Sequence, residues 1–275
     1  MPFRDILVHV VDSPLTNVRL ALAAQLAAAH QAHLAGLYVR TFPRMPAYVS
    51  GVMGAEVQRL QDRYAIEAAA RARKSFDEVT AAAGITAEWR MADGDVVDVL
   101  AMHARYADLT VVGQNDPDAE NQAAIADNLV LDAGRPVLVV PYAGRFSRLG
   151  ENVLIAWNAS REATRAVNDA MPFLHAAKKV TVLAVNPSGG HDGHGEMPAA
   201  DICLHLARHG VNAEAASLKA TDMEVGDILL SRIADGDADL LVMGAYGRSR
   251  LREIVLGGAS RHILDHMTVP VLMSH

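Results

Sequence analysis

The chain has 275 residues, enough for one large domain or two of about 140, and enough for a full hydrophobic core. Its 25 Lys and Arg stand against 32 Asp and Glu, and neither half is basic (13 against 17 in residues 1–145, 12 against 15 in 146–275), which argues against a nucleic-acid-coating protein. One cysteine, Cys203, excludes an internal disulfide framework and a cysteine-based zinc site, and fits a reducing cytoplasm. Apolar residues make up 51% but aromatics only 5%, and the excess of Ala and Val suits an α/β protein.

In chain order, Ile6–Val10 is a continuous apolar run, the pattern of a strand buried on both faces. No cationic stretch and long apolar core precede it, so no secretory signal is expected. Asn17–His30 has a helical pattern. The window Leu20–Val39 lacks Asp, Glu, Lys and Arg, but Gln25, His30, Gln31 and His33 interrupt it. It therefore reads as a soluble helix followed by a strand at Leu37–Val39, not as a membrane span. Thr41–Leu60 is apolar and punctuated by Pro and Gly; it is expected to be a loop near the ligand end, folded over the core or open as a contact site. Gln58–Ala83 is helical, ending at Gly84, and strands follow at Asp108–Gly113 and Val137–Val140. After the turn-rich join Pro141–Gly150 come a strand at Val153–Trp157, a helix at Arg161–His175, a strand at Leu183–Val185 and a helix at Pro198–His209 ending at Gly210. Strands at Asp239–Gly244 and Val269–Met273 close the chain.

This series is one pattern written twice. Ile6–Val10 matches Val153–Trp157, Gly94-Asp95-Val96 before Asp108–Gly113 matches Gly226-Asp227-Ile228 before Asp239–Gly244, and Arg135–Val140 matches Val269–Met273. Two copies are expected, residues 1–145 and 150–275, each a doubly wound parallel sheet with right-handed crossovers. Ligands of such sheets lie beyond the carboxyl ends of the strands, here just after Val10, Val39, Gly113, Trp157, Val185 and Gly244.

In the second copy, Gly244, Gly247 and Gly257 are spaced G-x2-G-x9-G between a strand and a helix. Gly244 and Gly247 permit close backbone approach to a ligand. Gly257 and Gly258 open a helix whose N–H groups favour a phosphate, with Ser260 adding a hydroxyl and Arg248 or Arg250 adding charge. Glycines that only shape turns are the plainer alternative. This motif, with Val-Pro-Val-Leu closing the domain, resembles the universal stress protein (UspA) family, and the resemblance extends over nearly the whole chain as two tandem domains of adenine nucleotide alpha hydrolase-like fold. It implies an open five-stranded parallel sheet, last strands that pair two domains, and a branch that binds ATP. Carried over, it places the nucleotide against Asn158 after the first strand, backbone groups of Ala184 or Val185 after the second, and Met243, Gly244, Gly247, Arg248, Gly257, Gly258 and Ser260 around the loop. Two positions depart from the family: Gly258 replaces a hydroxyl residue, and Asn158 replaces an Asp that could bind a metal ion.

The first copy departs further. Gly113 is followed by Gln114-Asn115-Asp116-Pro117-Asp118-Ala119-Glu120, with no second glycine and three acids that would repel a triphosphate. It is not expected to bind ATP in the family manner. His191-Asp192-Gly193-His194 fits an H-x-G-H signature but follows the second strand, not the first, and reads as a polar loop. His205 and His209 share a helix face, but no acidic partner has a fixed spacing for a metal site. No Walker A, complete G-x-G-x-x-G or G-x-S-x-G occurs. Cys203 reads as a structural thiol, His9 as a packed histidine, and Trp157 equally as adenine wall or core. The loop's acid, Glu253, reads as a salt-bridge partner of Arg250 or Arg252.

These expectations combine into a cytoplasmic tandem universal stress protein. It would bind ATP or a related adenine nucleotide, with or without Mg, in its second copy, with little or no turnover. The alternatives are a nucleotide-independent interaction module, a slow ATPase, or an ATP-consuming transferase of the wider sheet superfamily. No membrane or nucleic-acid partner is expected. The last strands pair within the chain, and a homodimer is allowed.

Overall fold

A computed structural model describes residues 2–41, 54–115, 125–187, 199–220, 222–246 and 258–275, with side chains of the long second helix from Arg59 onward. The first half runs β1 (Asp5–Val10), α1 (Thr16–His30), β2 (His33–Arg40), α2 (Gly54–Ala82), β3 (Ala87–Asp93), α3 (Val96–Ala104), β4 (Leu109–Gly113), α4 (Ile125–Asp132) and β5 (Val137–Val140). The second runs β6 (Asn152–Ala156), α5 (Arg161–Asp169), α6 (Met171–Leu174), β7 (Lys179–Val185), α7 (Ala200–Arg208), β8 (Ala213–Leu218), α8 (Val225–Asp235), β9 (Leu240–Gly244), α9 (Ala259–His266) and β10 (Val271–Ser274).

The strands form one ten-stranded sheet ordered β3-β2-β1-β4-β5-β10-β9-β6-β7-β8. Each half is parallel and doubly wound. The halves meet where β5 and β10 pair antiparallel, with Val139 opposite Val271, Leu138 opposite Leu272 and Val137 opposite Met273. These are the two stretches expected to pair from the sequence. Because the pair is antiparallel, the carboxyl ends of the two half-sheets point in opposite directions, and each half has its own ligand end.

Alternation along the strands makes two cores, one on each face. Ile6, Val8 and Val10 pack with α1, α2, α5, α6 and α7 on one face. Leu7 joins the other face, under α3, α4, α8 and α9. Edge strands β3 and β8 carry polar residues such as Glu88, Arg90 and Glu214 and are only half-buried, as suits sheet edges. The repeat reaches individual hydrogen bonds. Asp108, just before β4, accepts from the Arg4 and Asp5 N–H groups at 2.8 and 3.2 Å. Asp239, just before β9, accepts from Gly150 at 2.7 Å and Glu151 at 3.1 Å. In each half one carboxylate ties the entry of the first strand to that of the fourth.

Two local expectations are corrected. The helix expected over Arg161–His175 is two helices, broken at Ala170, because Pro172 at the start of α6 has no N–H to continue the ladder. The loop expected through Leu60 ends sooner, since α2 begins at Gly54; residues 42–53 lie outside the described residues. Among the described residues, no helix is long and apolar enough to cross a membrane.

Candidate functional site

At the carboxyl ends of β6, β7 and β9 the second half opens into a cleft of about 700 Å³. Such space lies within the range of roughly 300–1,000 Å³ usual for small-molecule and cofactor sites. Its floor is the strand ends Ala156, Val185, Met243 and Gly244. One wall is the turn Trp157–Ser160 with the first residues of α5, and the other is Tyr246 with Ala259 and Ser260 at the start of α9.

The α5 wall is locally programmed. Asn158 Oδ1 accepts from the Ser160 N–H at 3.1 Å, and Ser160 Oγ caps the helix by accepting from the Ala163 N–H at 3.1 Å. Ala159 between them adopts φ 56°. Helix α5 then packs directly on Gly244: a Cβ there would lie 2.4 Å from the Ala163 nitrogen and 2.5 Å from the Glu162 carbonyl carbon. Only glycine admits so close a backbone approach.

Glu162 is the unexpected member of the site. It is 4% exposed, one carboxylate oxygen accepts from Arg161 at 3.2 Å, and the other has no partner among the described residues. Burial pushes its carboxyl up, but the neighbouring backbone and the Arg161 and Ser160 side chains outweigh that and hold it below the usual range. A carboxylate therefore already sits at the α5 N-terminus. The α9 N-terminus differs: it has no acid in its first turn, and its buried Ser260 hydroxyl accepts from the Tyr246 N–H at 3.3 Å. The positive helix end facing the cleft without its own carboxylate is thus that of α9.

Of the residues read from the sequence, Asn158, Val185, Met243, Gly244 and Ser260 line this one cleft, and Gly258 is the N-cap of α9. Ala184 is fully buried and is not a lining residue. Gly247, Arg248 and Gly257 lie outside the described residues, as do Arg250, Arg252, Glu253, Asp116, Asp118, Glu120, His191 and His194. Trp157 both lines the cleft and packs on the core. Cys203 is half-buried, and burial raises its thiol pKa. His205 and His209 lie with ring centroids 4.6 Å apart, and among the described residues no group of three or more metal-ligating side chains forms.

Tyr246, also missed, follows β9 at φ 50° and links the two halves. Its hydroxyl donates to Asp127 on α4, whose other oxygen accepts from Asn115 at 3.4 Å. Burial and the Asp127 carboxylate raise the phenol's pKa, keeping it protonated as a donor. Nearby, Gln114 donates to the Leu264 carbonyl at 2.8 Å, a second bond across the halves. Tyr246→Phe is expected to cost about 1.5–3 kcal/mol, as for other bonds to a charged acceptor, read by chemical denaturation; an unchanged midpoint and slope would show the bond to be energetically idle.

In the first half, a pocket of about 40 Å³ lies beyond Gly113, at the ends of β4 and β5, with the Arg19 side chain against Gly113.

The architecture is that of a tandem α/β protein with two doubly wound half-sheets. The model of the universal stress protein family matches residues 2–141 and again residues 151–275, so the chain belongs to that family, as two tandem domains. Among solved structures, a universal stress protein from Archaeoglobus fulgidus DSM 4304 is 17% identical with a TM-score of 0.72, covering 98% of this chain and 97% of that one. A functionally unknown protein from Pseudomonas aeruginosa PAO1 is 16% identical with a TM-score of 0.59, covering 99% of this chain and 92% of that one. A putative universal stress protein from Pseudomonas aeruginosa UCBPP-PA14 is 17% identical with a TM-score of 0.57, covering 99% and 93%. At these identities the likeness is one of fold. No curated protein matches the chain.

Proposed function

We propose that the second domain, residues 150–275, binds ATP or a related adenine nucleotide, and that the first, residues 1–145, is its structural partner. The reading rests on one observation: a cleft of about 700 Å³ opens at the carboxyl ends of β6, β7 and β9, where Asn158, Val185, Met243, Gly244 and Ser260 come together. Asn158, Val185 and the Trp157 ring are suited to the nucleoside, the last two offering apolar surface and Asn158 a free amide N–H₂. Gly244, Gly258 and Ser260, with the motif residues Gly247, Arg248 and Gly257, are suited to the phosphates at the positive end of α9. Met243 forms the floor between them. Glu162 keeps the phosphates toward α9 by repulsion. The bound state is read as that of a cytoplasmic stress sensor with little or no turnover.

Calorimetric titration of ATP, ADP and AMP into ligand-free protein tests this. One site per chain is expected, lost in Gly247→Glu, which puts a carboxylate against the phosphates. Two sites per chain would overturn the assignment of the first domain. No binding to the folded, ligand-free chain would favour a nucleotide-independent interaction module.

A further inference from the structure

The ends of β4 and β5 in the first domain contain a charge that no described residue balances. Arg19, in the first turn of α1, is 9% exposed. One Nη donates to Thr16 Oγ1 at 2.8 Å, while its Nε has no partner among the described residues. The other Nη lies against Gly113, 2.5 Å from where a Cβ would stand. Among the described residues, no carboxylate pairs with Arg19. Asp12, in the loop after β1, is held by Arg71 on α2 at 2.7 Å and does not line the cavity. Leaving a buried guanidinium without a counter-charge is costly, and a fork of N–H donors matches a small oxyanion.

No acid is among the described residues that line the cavity. Helix α1 has neither an acid in its first turn nor a side-chain cap, so its positive end adds to the same potential. Ser13 lines the cavity, and its Oγ accepts from the Leu15 N–H at 3.3 Å, leaving the hydroxyl proton available to a ligand. The space of about 40 Å³ has room for a few water-sized atoms, at roughly 10–15 Å³ for each water, and none for a nucleoside.

We propose that the first domain holds a single small inorganic anion against Arg19 and Ser13. The second domain's cleft of about 700 Å³ admits a large ligand, whereas the space beside Arg19 admits only a small ion. This inference does not depend on nucleotide binding by the second domain.

The test uses the full chain in gluconate buffer at fixed ionic strength. It is made in the Gly247→Glu background so that phosphate at the second domain does not contribute. Phosphate and chloride are titrated separately while the melting temperature is followed, and equilibrium dialysis with labelled phosphate or chloride counts the ions bound. A saturable rise of roughly 4 °C or more with one anion per chain is expected, and whichever ion gives it identifies the ligand. Arg19→Met, which keeps the stem without the charge, should lose the saturable rise and melt no lower than the parent without anion. Arg19→Lys keeps a charge without the fork and should weaken binding at least tenfold. An absence of saturable response in the parent, or an equal response in Arg19→Met and Arg19→Lys, would overturn the proposal.

Discussion

Gly244→Ala is expected to destabilise the protein by about 2–3 kcal/mol, in the range of core overpacking. The new methyl would stand 2.4 Å from the Ala163 nitrogen and 2.5 Å from the Glu162 carbonyl carbon, both in the backbone of α5. Backbone does not rotate away as a side chain does, so α5 must lift from the sheet. That helix also carries Ser160 and Glu162 on the cleft wall, so the same substitution should weaken nucleotide binding wherever it occurs in the second domain. Gly113→Ala is the matched control, because Gly113 ends β4 as Gly244 ends β9. There the methyl would meet the tip of the Arg19 side chain at 2.5 Å, which can shift by changing rotamer. A cost below about 1 kcal/mol is expected, typical of a volume change with somewhere to go. Calorimetry of both variants decides the matter. Equal losses would mean that α1 and α5 approach their half-sheets alike, contrary to the contacts at the two glycines.

The contrast between these glycines also marks what the sequence can and cannot convey. Paired apolar runs made the tandem sheet legible, because strands buried on both faces need no polar alternation, as in Val137–Val140. Strands β3 and β8 were not singled out, since edge positions admit Glu88, Arg90 and Glu214 and break the apolar run. The break of the fifth helix was written in Pro172 but outweighed by the periodicity around it. At the candidate site, residues directly after strands were legible from topology alone, and Asn158, Val185, Met243 and Gly244 do share one cleft. Glu162 and Tyr246 were not, because their importance comes from partners far away in the chain. Tyr246 reaches Asp127 over 119 positions, and Glu162 matters through its closeness to Gly244. Arg19 had no signal at all: an arginine at that helical position reads as a solvated side chain until the missing counter-charge is seen.

Acidification from pH 7 to pH 4 is expected to remove about 3 kcal/mol of stability through His9 alone. His9 lies in β1, 3% exposed, and burial, aided by the Arg19 charge, pushes its pKa down to about 3. In the unfolded chain the same imidazole titrates near 6.5. Between those values the unfolded state binds one proton more than the folded state, so each unit of acidification costs about 1.4 kcal/mol. The contribution is complete above pH 6.5, falls through the window below it, and is exhausted near pH 3. His9→Gln removes the titrating group while keeping a neutral polar side chain. Its overall stability can be lower, but the comparison lies in the slope. Urea unfolding at a series of pH values should show wild type losing about 3 kcal/mol more than the variant between pH 7 and pH 4. The other histidines and the carboxylates titrate in both proteins and cancel in the difference. Parallel stability profiles would mean that His9 accepts its proton in the folded state at an ordinary pH. The imidazole would then reach solvent or an acceptor.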